Sequence, residues 1–308
     1  MKPRIAFFVG DPNGIGPELT DKLLGASEAH AAADITLLGD ERLVSEALRS
    51  RVRFQRVPGL EAAALTPGQP NASAGAWVVA GLTQAAQDVT AGRSDAIVFA
   101  PLNKQAMKLG GLPFQDEQHL FAHLLGADGY TVEFNVIDRL WTSRVTSHIP
   151  LKDVAGAISP NRVVDAVRII HASLRQGGVA HPRIAVAALN PHAGEGGTMG
   201  REEIDIIAPA IAQARAEGMA ASGPHPADTV FVAAKRGDFD AVVTMYHDQG
   251  QIAMKLMGFD RGVTVLGGLR VPICTCAHGT AYDIVGRGIA NTLPLRNALD
   301  LAARMATH

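Results

Sequence analysis

Short runs of apolar and β-branched residues recur along the chain at positions 5–9, 35–38, 96–99, 131–136, 144–146, 184–188, 241–244, 263–266 and 271–275. Between many of them lie stretches with helical periodicity, at 18–24, 74–90, 161–174, 201–217 and 295–305. This alternation predicts an α/β architecture on a mostly parallel sheet. Functional groups then belong at the carboxyl ends of strands and in the loops that follow them. The chain has no internal repeat, low-complexity tract or Pro/Ser-rich linker. Two domains, if present, must be interleaved. A strand after Gly126-Ala127-Asp128-Gly129 marks a first crossover between Tyr130 and Glu133, and Gly262 marks a return. The expected division is residues 1–130 plus 263–308 in one α/β domain and 131–262 in the other.

A length of 308 residues supports one large or two medium cores, and 47% hydrophobic with 19% charged residues is ordinary for a globular protein. With 28 basic and 30 acidic residues the formal net charge is −2, which gives no electrostatic footprint for nucleic acid or an anionic membrane. The opening apolar run breaks at Gly10-Asp11-Pro12 and reads as a strand, not a signal peptide. No apolar stretch approaches the roughly 18 residues needed to span a bilayer. A cytoplasmic location is expected. Cys274 and Cys276 alternate within one strand-like run, which suits two small buried residues rather than a disulfide.

Three of the eleven histidines sit in polar or glycine-rich segments. They are His148 in Thr146-Ser147-His148, His192 in Asn190-Pro191-His192-Ala193-Gly194-Glu195-Gly196, and His247 in Tyr246-His247-Asp248-Gln249. Three imidazoles with one open position are a donor set for a catalytic divalent metal. Their wide separation means that any such site is assembled by the fold or by two subunits, and three histidines at strand ends is the competing reading. Asp248, beside His247, can orient an imidazole, and Asp228 is a second carboxylate candidate; for either, a solvated loop or helix cap is the alternative.

The segment Gly10-Asp11-Pro12-Asn13-Gly14-Ile15-Gly16 follows the first strand and opens a helix. Its glycine spacing does not fit the dinucleotide fingerprint, so it reads either as a ligand loop or as a tight turn. The segment from His278 through Gly279, Asp283 and Gly288 to Asn291 resembles the nucleotide loop of the isocitrate and isopropylmalate dehydrogenases, with Thr280 in place of Ser and Tyr282 in place of Pro.

Taken in order, these segments resemble the 4-hydroxythreonine-4-phosphate dehydrogenase (PdxA) family over nearly the whole chain. The resemblance implies a two-domain α/β/α homodimer of the isocitrate/isopropylmalate dehydrogenase-like type with an interdomain cleft. It also implies NAD-linked oxidation of a secondary alcohol followed by loss of carbon dioxide. His148, His192 and His247 would hold a divalent metal shared between subunits: zinc, or alternatively manganese, cobalt or iron. Asp228, Asp248 and Lys255 would be the catalytic groups. NAD would meet Asp11, Asn13, Gly14, Gly194, Gly196, His278, Gly279, Asp283 and Asn291.

Departures from the family bear on the substrate. The phosphate-ester enzymes carry Gly-His-Thr-Glu where this chain has Asp116-Glu117-Gln118-His119, and an Asn and an Arg of that family fall on Thr264 and Ile273. Glu117, Gln118, His119, Thr264 and Arg270 are therefore the expected substrate contacts, with Arg270 holding a carboxylate. On that basis the expected substrate is terephthalate 1,2-cis-dihydrodiol, converted to protocatechuate and carbon dioxide. The alternative is 4-phosphohydroxy-threonine or a four-carbon sugar acid phosphate, and a more remote one is a metal-binding regulator without catalysis. His119 and His123 are four apart on an expected helix, where substrate contact or plain surface is favoured over metal binding.

Overall fold

The computed structural model describes residues 2–26 and 28–307. In chain order they form β1 (Arg4–Phe8), α1 (Gly16–Gly25), α2 (Ala29–Ala32), β2 (Asp34–Gly39), α3 (Glu46–Arg49), β3 (Arg53–Arg56), α4 (Ala72–Thr90), β4 (Ala96–Phe99), α5 (Lys104–Leu109) and α6 (Glu117–Leu124). There follow β5 (Val132–Ile137), β6 (Leu140–Arg144), α7 (Val154–Ala157), α8 (Pro160–Gln176), β7 (Arg183–Ala187), α9 (Ala208–Ala216), β8 (Ala220–His225), α10 (Ala227–Lys235), β9 (Ala241–Thr244) and α11 (His247–Gly258). The last elements are β10 (Val263–Gly267), β11 (Ile273–Cys276) and α12 (Leu293–Met305). The chain divides into two compact units: one holds the residues up to Thr131 together with Asp260–Thr307, the other holds Val132–Phe259.

In the first unit the strands run β3-β2-β1-β4-β11-β10, parallel except for β10, which is antiparallel to β11. The central strands read as apolar runs because helices cover them. Phe7, Phe8, Leu37, Leu38 and Val98 are fully buried. Each contributes roughly 1.5–3 kcal/mol relative to an exposed position. Helix α4, capped by the Asn71 side chain, lays Trp77 against Phe8 with ring centroids 5.3 Å apart. The indole donates to the Val57 carbonyl at 3.0 Å. Cys274 and Cys276 are free and buried in β11, and burial pushes the Cys276 thiol up to about 12.

The second unit runs β5-β6-β9-β7-β8, parallel except for the β5–β6 hairpin. Helix α8 starts at a Ser159 cap and buries Val163, Val164, Val167, Ile170 and Leu174 along one stripe. A cluster of Ile137, Leu140, Ala185, Val230, Phe231, Val242 and Met254 packs the sheet against α10 and α11.

The pattern of apolar runs misses β3 and β8, whose sequences are Arg53-Phe54-Gln55-Arg56 and Ala220-Ala221-Ser222-Gly223-Pro224-His225. Both are edge strands with neighbours on one side, so neither needs a continuous apolar run. The helix expected over 201–217 is a π-helical turn, Glu203–Ile207, leading into α9. The expected strand at 144–146 begins where β6 ends.

Helices α4 and α5 touch through a glycine. A Cβ placed on Gly75 would lie 1.7 Å from the Ala106 carbonyl oxygen. Alanine is the better helix former in isolation, yet Gly75→Ala is expected to destabilise the fold by about 1–3 kcal/mol through overpacking. Urea denaturation reads the sign: a higher midpoint for the variant would mean that the helices part without cost.

Candidate functional site

In the second unit, parallel pairing sets the carboxyl ends of β6, β9, β7 and β8 side by side. The segments leaving these ends carry His148, His247, His192 and Asp228 in turn, His247 and Asp228 in the first turns of α11 and α10. The four lie far apart in sequence and on one edge in space.

His148 and His247 come together, with ring centroids 5.5 Å apart. The His247 Nδ1 lies 2.7 Å from Asp248 Oδ1, which orients the ring and leaves Nε2 as the nitrogen that could meet an ion. The His148 turn is braced from below. Arg144, 4% exposed, donates from Nε to Ser147 Oγ at 2.9 Å and from Nη2 to Glu133 Oε2 at 2.9 Å. The Thr146 amide and hydroxyl both donate to the Met245 carbonyl, at 3.1 and 2.8 Å, tying the two histidine turns together.

His192 follows β7 in an unusual loop. Residues 192–196 all have positive φ, and three of them, His192, Ala193 and Glu195, are not glycine. A left-handed conformation costs a residue with a Cβ roughly 1–2 kcal/mol. The compensation is a buried carboxylate, Glu203, 3% exposed. Its Oε1 accepts from the Leu189 and Asn190 amides at 2.9 and 2.8 Å, and its Oε2 accepts from Asn190 Nδ2 at 3.0 Å. Hydrogen bonds to a charged group contribute about 1.5–3 kcal/mol each, the same order as the strain. Gln249 adds a second tie, donating to the Ala188 carbonyl at 2.9 Å and accepting from the Met245 amide at 2.8 Å. Gly194 packs against Glu203, where a Cβ would come within 2.6 Å of Oε2, whereas Gly196 faces open space.

The donor chemistry suits a divalent ion: two close imidazoles, one oriented by a carboxylate. Among the described residues, no group of three or more His, Cys, Asp or Glu side chains converges within the chain. One chain therefore brings two of the three expected imidazoles to a point and carries His192 on a separate exposed loop. Asp228 is exposed in the first turn of α10, and Lys255 is exposed on α11. His225, which the motif reading passed over, ends β8 at the same edge. Its Nε2 is 2.9 Å from Ser222 Oγ, and burial lowers its pKa.

In the first unit the expected cofactor residues divide by burial. Asp11 and Asn13 are enclosed. Asp11 accepts from the Asn13 amide and from the Tyr282 hydroxyl, both at 2.8 Å. Burial pushes the Asp11 carboxyl above its ordinary range, against the hydrogen bonds that lower it. Asn13 spends its amide on the Thr66 amide and the Ala64 carbonyl. Both side chains thus fasten three segments, 10–16, 64–68 and 280–282, to one another. Gly14 lets two of these approach, since a Cβ there would sit 2.8 Å from Thr280 Cβ. Gly279 and Asp283 are exposed beyond this junction, and His278 Nε2 is buried without a hydrogen-bond partner. Asn291 donates to the Asp260 carbonyl and accepts from the Leu293 amide, a capping role at α12. Tyr282 and Thr280 were legible only as departures from a motif, and the structure makes them the contacts that close the loop.

Of the expected substrate contacts, Glu117 and Gln118 are buried in the first turn of α6. His119 meets Asp116, which caps that helix, at 2.6 Å. Thr264 lies opposite Thr275 near the carboxyl end of β11. Arg270 does not join them. It precedes the amino end of β11 and donates to Thr90 Oγ1 at 3.0 Å, where α4 ends before β4 begins. Within the first unit that is the edge opposite the carboxyl ends of β4 and β11. His123 rests on Phe114, with ring centroids 5.0 Å apart.

The sequence pattern of the family described as pyridoxal phosphate biosynthetic protein PdxA matches residues 20–302. A Pseudomonas aeruginosa relative, provisionally named 4-hydroxythreonine-4-phosphate dehydrogenase 2, is 48% identical over 99% of this chain and 98% of its own length. The crystal structure of a Klebsiella pneumoniae 4-hydroxythreonine-4-phosphate dehydrogenase matches with a TM-score of 0.86 at 33% identity, covering 100% of this chain and 99% of that one. A Burkholderia xenovorans terephthalate 1,2-cis-dihydrodiol dehydrogenase matches with a TM-score of 0.71 at 30% identity, covering 98% of each chain. In fold alone the likeness extends to an isocitrate dehydrogenase of Methylococcus capsulatus, with a TM-score of 0.54 at 16% identity over 99% of this chain and 84% of that one.

The Asp116 cap generates a pH prediction. Burial raises this carboxyl, but the His119 contacts and the Lys104 charge outweigh it and leave the pKa below the ordinary 3.8. A depressed carboxylate stabilises the fold above its unfolded pKa, and that stability is lost as pH falls through the folded value. Asp116→Ala is expected to cost about 1 kcal/mol at neutral pH. The gap from the parent should close below pH 3.8. Urea titrations at neutral and acid pH that showed a constant gap would remove the charge from the account.

Proposed function

The chain belongs to the PdxA family, and on that premise we propose that it is a divalent-metal-dependent, NAD-linked dehydrogenase of a phosphorylated hydroxy acid. The observation that carries the reading is the pairing of His148 and His247 at the carboxyl ends of adjacent strands, with Asp248 orienting the second ring. The substrate class follows the relatives' names, 4-phosphohydroxy-threonine or a four-carbon sugar acid phosphate being the candidates. A secondary alcohol would lose its hydride to NAD and its proton to a base, and the β-keto acid so formed would release its carboxylate as carbon dioxide. His148, His192 and His247 would hold the ion, which when bound polarises the substrate oxygen. Asp228 and Asp248 stand at the same edge, Asp248 to fix the imidazole and Asp228 as a solvent-facing carboxylate able to move a proton.

Two observations count against the dihydrodiol dicarboxylate expected from the sequence. Arg270, the residue meant to hold its carboxylate, sits at the amino edge against Thr90. The relative named for terephthalate dihydrodiol is 30% identical, against 48% for the one named for the phosphate ester. The phosphorylated substrate is accordingly preferred.

A homodimer is part of the same reading. Among the described residues, seven of the ten large exposed hydrophobic side chains lie in the second unit, including Ile149, Leu151, Met199, Ile204, Ile252 and Leu256, the last 84% exposed. They flank the three histidine loops, so a second copy covering them would bring imidazoles from two chains together. None of the helices in the described residues is long and apolar enough to cross a membrane.

NADH formation with the manganese- or zinc-loaded protein, using 4-phosphohydroxy-threonine and terephthalate cis-dihydrodiol side by side, tests the substrate. The phosphate ester is expected to be oxidised with carbon dioxide release, and exclusive turnover of the dihydrodiol would sink the reading. His192→Ala and His247→Ala are each expected to abolish turnover and bound metal with the fold intact. Ile252→Glu combined with Leu256→Glu is expected to halve the mass seen by light scattering and to weaken metal retention; a dimer of unchanged mass would place the interface elsewhere.

A further inference from the structure

We propose that Glu203 is a positioning residue for the His192 loop: its buried carboxylate presents the imidazole at the metal site while touching neither substrate nor ion. The inference rests on the reading of His192 as a metal ligand. Its own warrant is geometric. The carboxylate comes from the π-helical turn ahead of α9 and lies under the loop. Oε1 takes the amide hydrogens of both residues that leave β7, Leu189 and Asn190. Oε2 takes one hydrogen of the Asn190 side-chain amide, and Glu202 Oε2 takes the other at 2.7 Å. With its amide hydrogens spent in this way, Asn190 cannot turn. His192 begins two residues later in a left-handed run that L-residues rarely adopt.

The surroundings leave the carboxylate no other position. A Cβ on Gly194 would come within 2.6 Å of Glu203 Oε2, and one on Gly200 within 2.4 Å of Asn190 Nδ2. The loop is thus closed over the carboxylate by two glycines with φ of +76° and +121°. Whichever way it turned, an amide in place of the carboxylate would set its NH2 against a donor, either the Leu189 and Asn190 amides or Asn190 Nδ2, so Glu203→Gln should release the loop while nearly preserving volume. Partners that orient a metal ligand change metal affinity by about ten- to hundredfold when removed.

The test uses the full chain, with Glu203→Gln, Asn190→Ala and His192→Ala as variants. Amide hydrogen exchange over 189–200 and cobalt titration followed by its visible absorbance are the readouts. For Glu203→Gln we expect at least tenfold faster exchange confined to that segment and at least tenfold weaker cobalt binding. Turnover should fall with little change in the Michaelis constant for NAD. His192→Ala should lose cobalt binding yet keep the segment protected. If Glu203→Gln does not fold, Asn190→Ala decides, since it removes the side-chain donor to Glu203 Oε2 and leaves only the two backbone amides on Oε1. Unchanged exchange and cobalt affinity in whichever variant folds would overturn the positioning role. Cobalt affinity unchanged in His192→Ala, with exchange still faster in Glu203→Gln, would instead overturn the ligand reading and leave the loop fastening intact.

Discussion

Parallel hydrogen-bonded pairing is the constraint from which the rest of this structure follows. Once β6, β9, β7 and β8 lie in register, their carboxyl ends must share an edge, whatever the sequence distance between them. Strand interiors are committed to burial: every residue of β6 and β9 is enclosed. Chemistry is therefore confined to the few residues that leave the ladder, and that is where the histidines stand. Within the first unit the same rule sets Arg270 at the amino end of β11, away from the carboxyl ends of β4 and β11.

In each unit, carboxylates help to fasten the loops that leave the strands. Asp11 gathers the first-unit junction, Glu203 the His192 loop, and Glu133 anchors the Arg144 guanidinium beneath the Ser147 turn. A carboxylate suits this task because it accepts several hydrogens at once, and in a low-dielectric setting an unmade bond is expensive. Each of the three spends itself on backbone amides, hydroxyls or a guanidinium. The cost appears at Asp11, where burial outweighs the donors and lifts the pKa.

Much of the architecture was legible because buried strands write themselves as apolar runs: 5–9, 35–38 and 96–99 fall on β1, β2 and β4. The structure separates its two units after Thr131 and after Phe259. Edge strands β3 and β8 left no such trace, having one neighbour and mixed composition. The glycines around His192 pointed to a loop of special backbone, but its left-handed run includes an alanine and a glutamate, which no propensity anticipates. Glu203 was hidden because a glutamate in a helical stretch reads as surface, and only the structure turns it inward. For Arg270 the charge was plain in the sequence, but which end of β11 it occupies was not.

The Tyr282 hydroxyl on Asp11 joins residues 271 positions apart, and β11 lies between β4 and β10. This has a bearing on the order of events at the ribosome. The second unit is one continuous stretch of chain and can condense as soon as it emerges. The first unit must wait, with β4 lacking its neighbour and the Asp11 carboxyl lacking the tyrosine, until Tyr282, 183 residues after Phe99, has been made, about 10–35 s at ordinary elongation rates. Through that interval the exposed flank of β4 is an open template for strand addition. Nascent chains of this protein should therefore depend on holdase chaperones for their amino-terminal third more than for their middle.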